Sequence, residues 1–135
     1  MKKLKTWIHL YGEDTWKIAK NLTLAATIFA FCIYAPRLLR QYLIDRFDSE
    51  AIGIIEQIDE KKGIQEAREG GKVVTVAYKI DYHFNSKYSV IQRSEILYKN
   101  SLVRSQWYQL AQLKIGDTIN VRYDSASNKS AIELQ

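Results

Sequence analysis

The stretch NLTLAATIFAFCIYAP, from Asn21 to Pro36, contains no charged residue. As a helix it would be apolar on every side, and the rest of a 135-residue chain is too small to surround such a helix. The run is slightly shorter than the roughly 20 residues that cross a hydrocarbon core, but long flanking side chains can extend it. It therefore predicts a single transmembrane helix, in preference to the buried helix of a soluble protein.

Both flanks of the run suit a membrane interface. Lysine and arginine at these positions can bury their methylene stems and send the charged groups to the lipid headgroups. The predicted membrane anchor consists of Lys17, Lys20, Phe29, Phe31, Arg37 and Arg40. A cleaved signal peptide would share the lysine-rich start, but Glu13 and Asp14 precede the run and Pro36 follows the small residue Ala35. We therefore expect the helix to be retained.

The residues before the run predict a second membrane element. Four apolar residues have the i, i+3, i+4, i+7 spacing of one helix face: Leu4, Trp7, Ile8 and Tyr11. This spacing predicts an interfacial amphipathic helix over residues 1–12, lying on the membrane surface and ending at Gly12. The transmembrane helix and its extension are predicted over residues 14–47, with a bend at Pro36.

The charge is unevenly distributed along the chain. Residues 1–47 carry eight Lys/Arg and three Asp/Glu, a net charge of 8 − 3 = +5, and residues 48–135 carry twelve of each. A nucleic-acid-binding protein would concentrate basic charge on its folded domain, so the predicted partner is membrane lipid and not nucleic acid. Five lysines precede the run and three arginines follow it, which predicts a cytoplasmic N-terminus in a bacterial inner membrane and a periplasmic or extracellular C-terminal domain.

After Phe47 the apolar periodicity changes from helical to two residues. Strands are predicted over residues 51–59, 73–84, 87–98, 118–124 and 131–134, and one helix over residues 101–113, whose Trp107 packs against the sheet. In the second strand one face is predicted to carry Val74, Val76, Tyr78, Ile80, Tyr82 and Phe84, and the other face Thr75, Lys79, Asp81 and His83. The predicted fold class is α+β and membrane-anchored, with a small five-stranded antiparallel β barrel-like domain over residues 50–135.

A charged segment, EKKGIQEAREGGK from Glu60 to Lys72, links the first two predicted strands. It is longer than most hairpin loops and is a candidate partner-binding loop. The residues assigned to that role are Lys61, Lys62, Arg68, Glu69 and Lys72. The alternative is a solvated connection with no role, since mixed charges also serve solubility.

The sequence contains none of the common catalytic or cofactor-binding motifs. There is no phosphate-binding loop, no dinucleotide fingerprint and no nucleophile elbow. The single cysteine, Cys32, excludes an intrachain disulfide and has no metal-ligand spacing with either histidine. Asp81 and His83 lie at i, i+2 and could form an acid–base pair, but a solvated surface pair is the favoured interpretation. We expect no enzyme activity, cofactor, metal or small-molecule substrate.

The segment LKIGDTINVRYD, from Leu113 to Asp124, joins a glycine and an aspartate to an alternating strand. A phosphate cradle would need several glycines at a helix N-terminus, whereas here one glycine follows a helix and precedes a strand. Gly116 and Asp117 are therefore predicted to form a structural turn, with positive φ at Gly116.

The same segment resembles the closing motif of a bacterial membrane-anchored family, the domain of unknown function numbered thirty-five ninety-two. The similarity covers about residues 51–134 and is carried by the pattern G-D-x-I-x-V-x-Y-D at 116–124, by Ala131–Leu134, by the glycine-bearing strand Ala51–Ile55 and by Tyr78–Phe84. The family usually has proline where this chain has Ser125 and Lys129, so a looser loop is expected here. No activity is established for the family, so the resemblance implies no catalytic residues.

These features together predict a non-catalytic single-pass membrane protein whose β domain binds a protein partner, as an accessory subunit of an envelope complex. The alternative is an immunity or inhibitor protein that acts against a toxin or enzyme at the membrane.

Overall fold

The computed structural model describes the backbone of residues 2–66 and 70–135, and the side chains of residues 12, 15–66 and 70–135. The elements follow the order α1 Lys2–Asp45, β1 Ser49–Gln65, β2 Lys72–Asn85, β3 Val90–Tyr98, a 3-10 turn Lys99–Ser101, α2 Arg104–Gln112, β4 Thr118–Tyr123 and β5 Ser130–Glu133. The chain divides into two compact units, Met1–Ala35 and Pro36–Gln135.

Helix α1 is long and apolar. Among the described residues, its part Thr15–Asp45 is long and apolar enough to cross a membrane, with a mean hydropathy of 1.7 over its most apolar window. No residue of that window is buried by the rest of the chain. The hydroxyls of Thr23 and Thr27 donate to the carbonyls of Ala19 and Thr23, each at 2.8 Å. The helix therefore satisfies these two polar groups internally, which a lipid environment requires.

The predicted helix end at Gly12 does not occur, because α1 is one continuous helix from Lys2 to Asp45. A glycine inside a helix lowers helix stability by only about 1 kcal/mol relative to alanine. The helical turns before and after Gly12 offset that loss. The helix also continues through Pro36, which removes one backbone N–H donor but does not end it. The side chains of Leu4, Trp7, Ile8 and Tyr11 lie outside the described residues, so the predicted interfacial face stays a prediction.

The five strands form one antiparallel sheet in the order β3-β2-β1-β4-β5. The sheet is curled into a half-barrel, as the alternating patterns predict, and its apolar face encloses the core. The core residues are Ile55, Tyr78, Ile80, Tyr82, Phe84, Ile91, Leu97, Leu102, Leu110, Ile119, Val121, Tyr123, Ile132 and Leu134. Gly53 in β1 has to be small, because a Cβ there would lie 2.9 Å from a methyl group of Val121.

The alternation of β2 is interrupted at Val76. The register moves from the pair Lys61–Ala77 to the pair Lys62–Thr75, which leaves Val76 as the extra residue of a β-bulge. Ala77 and Tyr78 are consequently both buried, whereas Val76 is 38 % exposed. The prediction that Val76 shares the core face of Tyr78 was therefore wrong, since one inserted residue reverses the parity of a strand.

Helix α2 lies against the sheet. The ring of Trp107 packs on Tyr78 with centroids 5.1 Å apart, which confirms the predicted contact. The Gln106 side chain donates to the carbonyl oxygen of Leu134 at 2.9 Å, and so ties α2 to the end of the chain. The helix begins at Arg104, later than predicted, because Lys99–Ser101 form a separate 3-10 turn.

Candidate functional site

The last turns of α1 belong to the same unit as the sheet. Arg40 Nη2 lies 3.2 Å from Glu95 Oε1 in β3, and the same guanidinium donates to the carbonyl oxygen of Ile132 in β5. The side chains of Arg40 and Glu95 are only 14 % and 20 % exposed. Arg40, one of the predicted anchor residues, therefore has a carboxylate partner within its own unit, and its role at a membrane interface stays a prediction.

Glu95 also joins the two edges of the sheet. Its Oε2 accepts a hydrogen bond from the backbone N–H of Ile132 at 2.7 Å. The guanidinium of Arg93, also in β3, donates to the carbonyl oxygen of Asn128 at 3.1 Å. We call these contacts between β3 and the β4–β5 segment the seam. Side chains thus form hydrogen bonds with backbone groups at the edge of the sheet, which would otherwise be free to pair with another strand.

Burial raises the pKa of the Glu95 carboxyl above its usual value of 4.5, although Arg40 and the N–H of Ile132 pull it down. Glu95 had no place in the predicted sites. The sequence did contain an indication of this role, because Ile91, Glu95 and Leu97 are separated by even numbers of residues and so lie on the same face of β3. A charged residue on the apolar face of a strand needs a partner. The sequence did not indicate Arg40, 55 residues earlier, as that partner.

The predicted loop Glu60–Lys72 is largely a β-hairpin. Strand β1 continues to Gln65 and β2 begins at Lys72, so Lys61, Lys62 and Lys72 lie within strands. Arg68 and Glu69 lie outside the described residues. Near the hairpin end Ile64 pairs with Val73, and the two side chains are 76 % and 62 % exposed. The assignment of a long loop was wrong, because cross-strand pairing extends beyond the apolar part of the sequence.

The remaining predicted anchor residues divide into two groups. Lys17, Lys20, Phe29 and Phe31 are exposed. Arg37 is half-buried, and its Nε atom is buried without a hydrogen-bond partner among the described residues. The Nε atom of Arg40 is unpaired in the same way, so the two arginines differ in the contact of Arg40 with Glu95.

Asp81 and His83 have other partners in the structure. The Nδ1 atom of His83 lies 2.8 Å from a carboxylate oxygen of Glu56, the extra residue of a second bulge. Asp81 lies 3.4 Å from the ammonium group of Lys79. Hydrogen bonding by Ser94, and then by Lys79, lowers the pKa of Asp81, which keeps its carboxyl ionised and makes the carboxylate a weak base. Within the part of the chain that the structure describes, no three His, Cys, Asp or Glu side chains are grouped to hold a metal.

Gly116 and Asp117 close a tight turn after α2. Gly116 has φ +90°, the conformation that favours glycine, and its N–H donates to the carbonyl oxygen of Ile55 at 2.8 Å. The carboxylate of Asp117 accepts the backbone N–H of Lys114 at 2.8 Å. Local backbone requirements account for both residues without a ligand.

Side-chain hydrogen bonds tie the β4–β5 turn, for which a looser loop was predicted from the absence of proline. The Asp48 carboxylate accepts the backbone N–H and the hydroxyl of Ser125, at 2.9 and 2.6 Å. Asp124 accepts the hydroxyl of Ser127 at 2.6 Å. These hydrogen bonds lower the pKa of both aspartates. Polar contacts thus restrain the turn that contains Ser125 and Ser127.

Comparisons of the chain with protein-family models, curated proteins and solved structures find no match. The resemblance described above therefore rests on the quoted residues alone.

Proposed function

We propose that this chain is a non-catalytic single-pass membrane protein, anchored by α1, whose β domain binds a protein partner. The observation that carries the proposal is the exposure of the apolar window of α1, none of which is buried by the chain itself. About 20 apolar residues in water would be strongly unfavourable, and a bilayer removes that cost. The internally bonded hydroxyls of Thr23 and Thr27 support the same environment.

The outer face of the sheet is the proposed surface for the protein partner. It carries ion pairs such as Lys79–Asp81 and Glu50–Arg122, which suit solvent. Two large apolar side chains of β1 interrupt this pattern, Ile52 at 68 % and Ile54 at 41 % exposure. Exposed apolar residues beside polar ones are typical of the centre of a protein interface.

We place the protein in a bacterial inner membrane with the N-terminus in the cytoplasm and the β domain outside, because more lysines precede the apolar run than arginines follow it. Within this proposal the protein is an accessory subunit of an envelope complex. The family resemblance stays part of the proposal and adds no activity to it.

The anchor is tested by washing membranes with carbonate. The full chain should stay in the membrane pellet, and its release as intact protein into the soluble fraction would exclude the span. Protease treatment of intact cells tests the orientation, since the charged segment Glu60–Lys72 should be cut only if the β domain faces outward.

The accessory role is tested by purifying the full chain in a gentle detergent and identifying the proteins that co-purify. Ile52→Arg should remove a specific partner, because a charge in an apolar interface is poorly tolerated. Ile115→Arg is the matched control, since Ile115 is 67 % exposed but lies in the turn after α2. A chain that purifies only as a monomer, with no partner at native expression, would reject the accessory role.

A further inference from the structure

A cleft of about 570 Å³ lies within the unit Pro36–Gln135. The argument concerns six of its lining residues, which come from α1, β1, β2 and the β3–α2 connection: Arg37, Ile64, Val76, Tyr98, Lys99 and Asn100. Ile64 also belongs to the predicted partner segment Glu60–Lys72, but Arg37 and Lys99 belong neither to that segment nor to the outer sheet face.

The charge of the cleft is positive. Among the described residues, Arg37 and Lys99 are its two charged lining residues, and no described carboxylate lines it. One acid lies at its margin, since Glu60 accepts a hydrogen bond from Thr75, which is also a lining residue. Lys99 lies over the ring of Trp107, with Nζ 5.8 Å from the centroid. The cleft therefore offers two cationic groups, plus the amide of Asn100, to an anion.

The guanidinium of Arg37 differs from that of its neighbour Arg40. The Nε–H groups of both arginines are buried without a hydrogen-bond partner among the described residues. Arg40 Nη2, however, lies 3.2 Å from Glu95 Oε1, whereas within the part of the chain that the structure describes no ion pair involves Arg37. A buried donor that is left unpaired costs free energy, and an oxyanion would satisfy it. Phosphate suits this group well, because arginine can bind two phosphate oxygens at once.

The cleft also has apolar walls that are open to the surroundings. Ile64 is 76 % exposed, Tyr98 is 53 % exposed and Val76 is 38 % exposed. A small hydrophilic anion would leave these side chains in water. A ligand with a phosphate at one end and hydrocarbon beside it would cover both kinds of surface.

The position of Arg37 along the chain indicates the source of such a ligand. Arg37 follows directly after the uncharged run that ends at Pro36. If that run spans the hydrocarbon core, Arg37 lies at the level of the lipid phosphates. We propose that this cleft binds the headgroup of an anionic phospholipid, with Arg37 and Lys99 on the phosphate and Ile64, Val76 and Tyr98 against the upper acyl chains. This inference rests on the proposed membrane span, but not on the protein partner.

The test uses the full chain in a neutral detergent, titrated with short-chain phosphatidylglycerol and, separately, with phosphatidylcholine of the same chain length. Native mass spectrometry measures the dissociation constant of each lipid. Wild-type protein should bind phosphatidylglycerol more tightly. Arg37→Gln and Lys99→Gln should each weaken that binding about fivefold, and the double substitution about 25-fold.

Three variants separate charge from folding. Lys114→Gln removes one positive charge outside the cleft and should leave the lipid affinity unchanged. Lys99→Arg keeps the charge and should keep most of the affinity. Arg37→Lys keeps the charge but loses the contact with two phosphate oxygens, so it should weaken binding less than Arg37→Gln does. A thermal unfolding curve of each variant shows that the β domain is intact, and the charge-retaining pair keeps the test valid if a glutamine variant does not fold.

Equal affinity for the two lipids, or wild-type affinity in the double variant, would overturn the proposal. Displacement of phosphatidylglycerol by an equal concentration of inorganic phosphate would show a site for free anions and overturn it as well. If the double substitution instead removed a co-purifying protein and left lipid binding intact, the cleft would be a protein-docking site. Carbonate extraction tests the span separately, so a failed lipid site leaves the proposed anchor standing.

Discussion

Apolar side chains have opposite surroundings in the two units of this chain. Phe29 and Phe31 in α1 are 69 % and 70 % exposed, whereas Phe84 in β2 is 1 % exposed. The strand alternates apolar and polar residues, so in the folded sheet its apolar side chains face the core and its polar side chains face solvent. The helix has no polar face over its apolar run, so no partner within the chain can bury it. Composition alone does not distinguish these regions, but periodicity does.

The largest expected effect concerns the buried phenylalanine. Phe84→Ala should lower the free energy of unfolding of the β domain by about 4 kcal/mol, because it leaves a cavity beside Tyr82 and Tyr123. Phe31→Ala, measured by the same thermal unfolding of the detergent-solubilised full chain, should leave that value nearly unchanged. Equal destabilisation by both substitutions would remove the contrast between the two units.

A charged substitution within the apolar run tests whether α1 lies in a lipid environment. Phe29→Arg should disfavour membrane insertion by about 3 kcal/mol, since an arginine side chain near the centre of a span is poorly solvated. The measurement is the fraction of protein that resists carbonate extraction, with Phe29→Leu as the control. Unchanged extraction of the arginine variant would mean that the helix does not lie in lipid.

The junction between α1 and the sheet should depend on Glu95. Glu95→Ala should cost about 2 kcal/mol of β-domain stability, because it leaves the guanidinium of Arg40 largely buried without its acid. Glu50→Ala is the matched control, because its ion pair with Arg122 is shorter at 2.7 Å but Glu50 is 67 % exposed. Thermal unfolding compares the two, and a control that loses as much stability as Glu95→Ala would contradict the role of burial.

The same substitution should have opposite effects at two glycines. Gly116→Ala should destabilise the β domain by about 1 kcal/mol, because φ is +90° there although space is free. Gly12→Ala should instead increase helix stability by up to about 1 kcal/mol, since Gly12 lies inside α1. Thermal unfolding monitors the first change and far-UV circular dichroism the second. A stabilised Gly116→Ala variant would refute the turn geometry.

The smallest expected effect is a pH dependence. Burial raises the pKa of Glu95 above 4.5, so the folded state holds this proton to higher pH than the unfolded state does. As pH rises from 4.5 through the raised pKa, this group therefore lowers the free energy of unfolding. Glu95→Gln should flatten the stability profile in that window, whereas Glu50→Gln should not. Identical profiles for wild type and Glu95→Gln would show that the carboxyl titrates normally.

The sequence by itself determined the long apolar helix, the five strands along the chain and the glycine turn. Each depends on residues close together in the chain, namely an uncharged run, a period of two and a position that needs positive φ. The tertiary structure decided the roles of Arg40 and Glu95, the extent of the β1–β2 hairpin and the cleft at Arg37. These depend on contacts between distant residues, and a single inserted residue such as Val76 changes which side chains meet. The local sequence pattern determines which secondary structure a segment can form. Only the packing of distant segments determines which charged side chains form ion pairs.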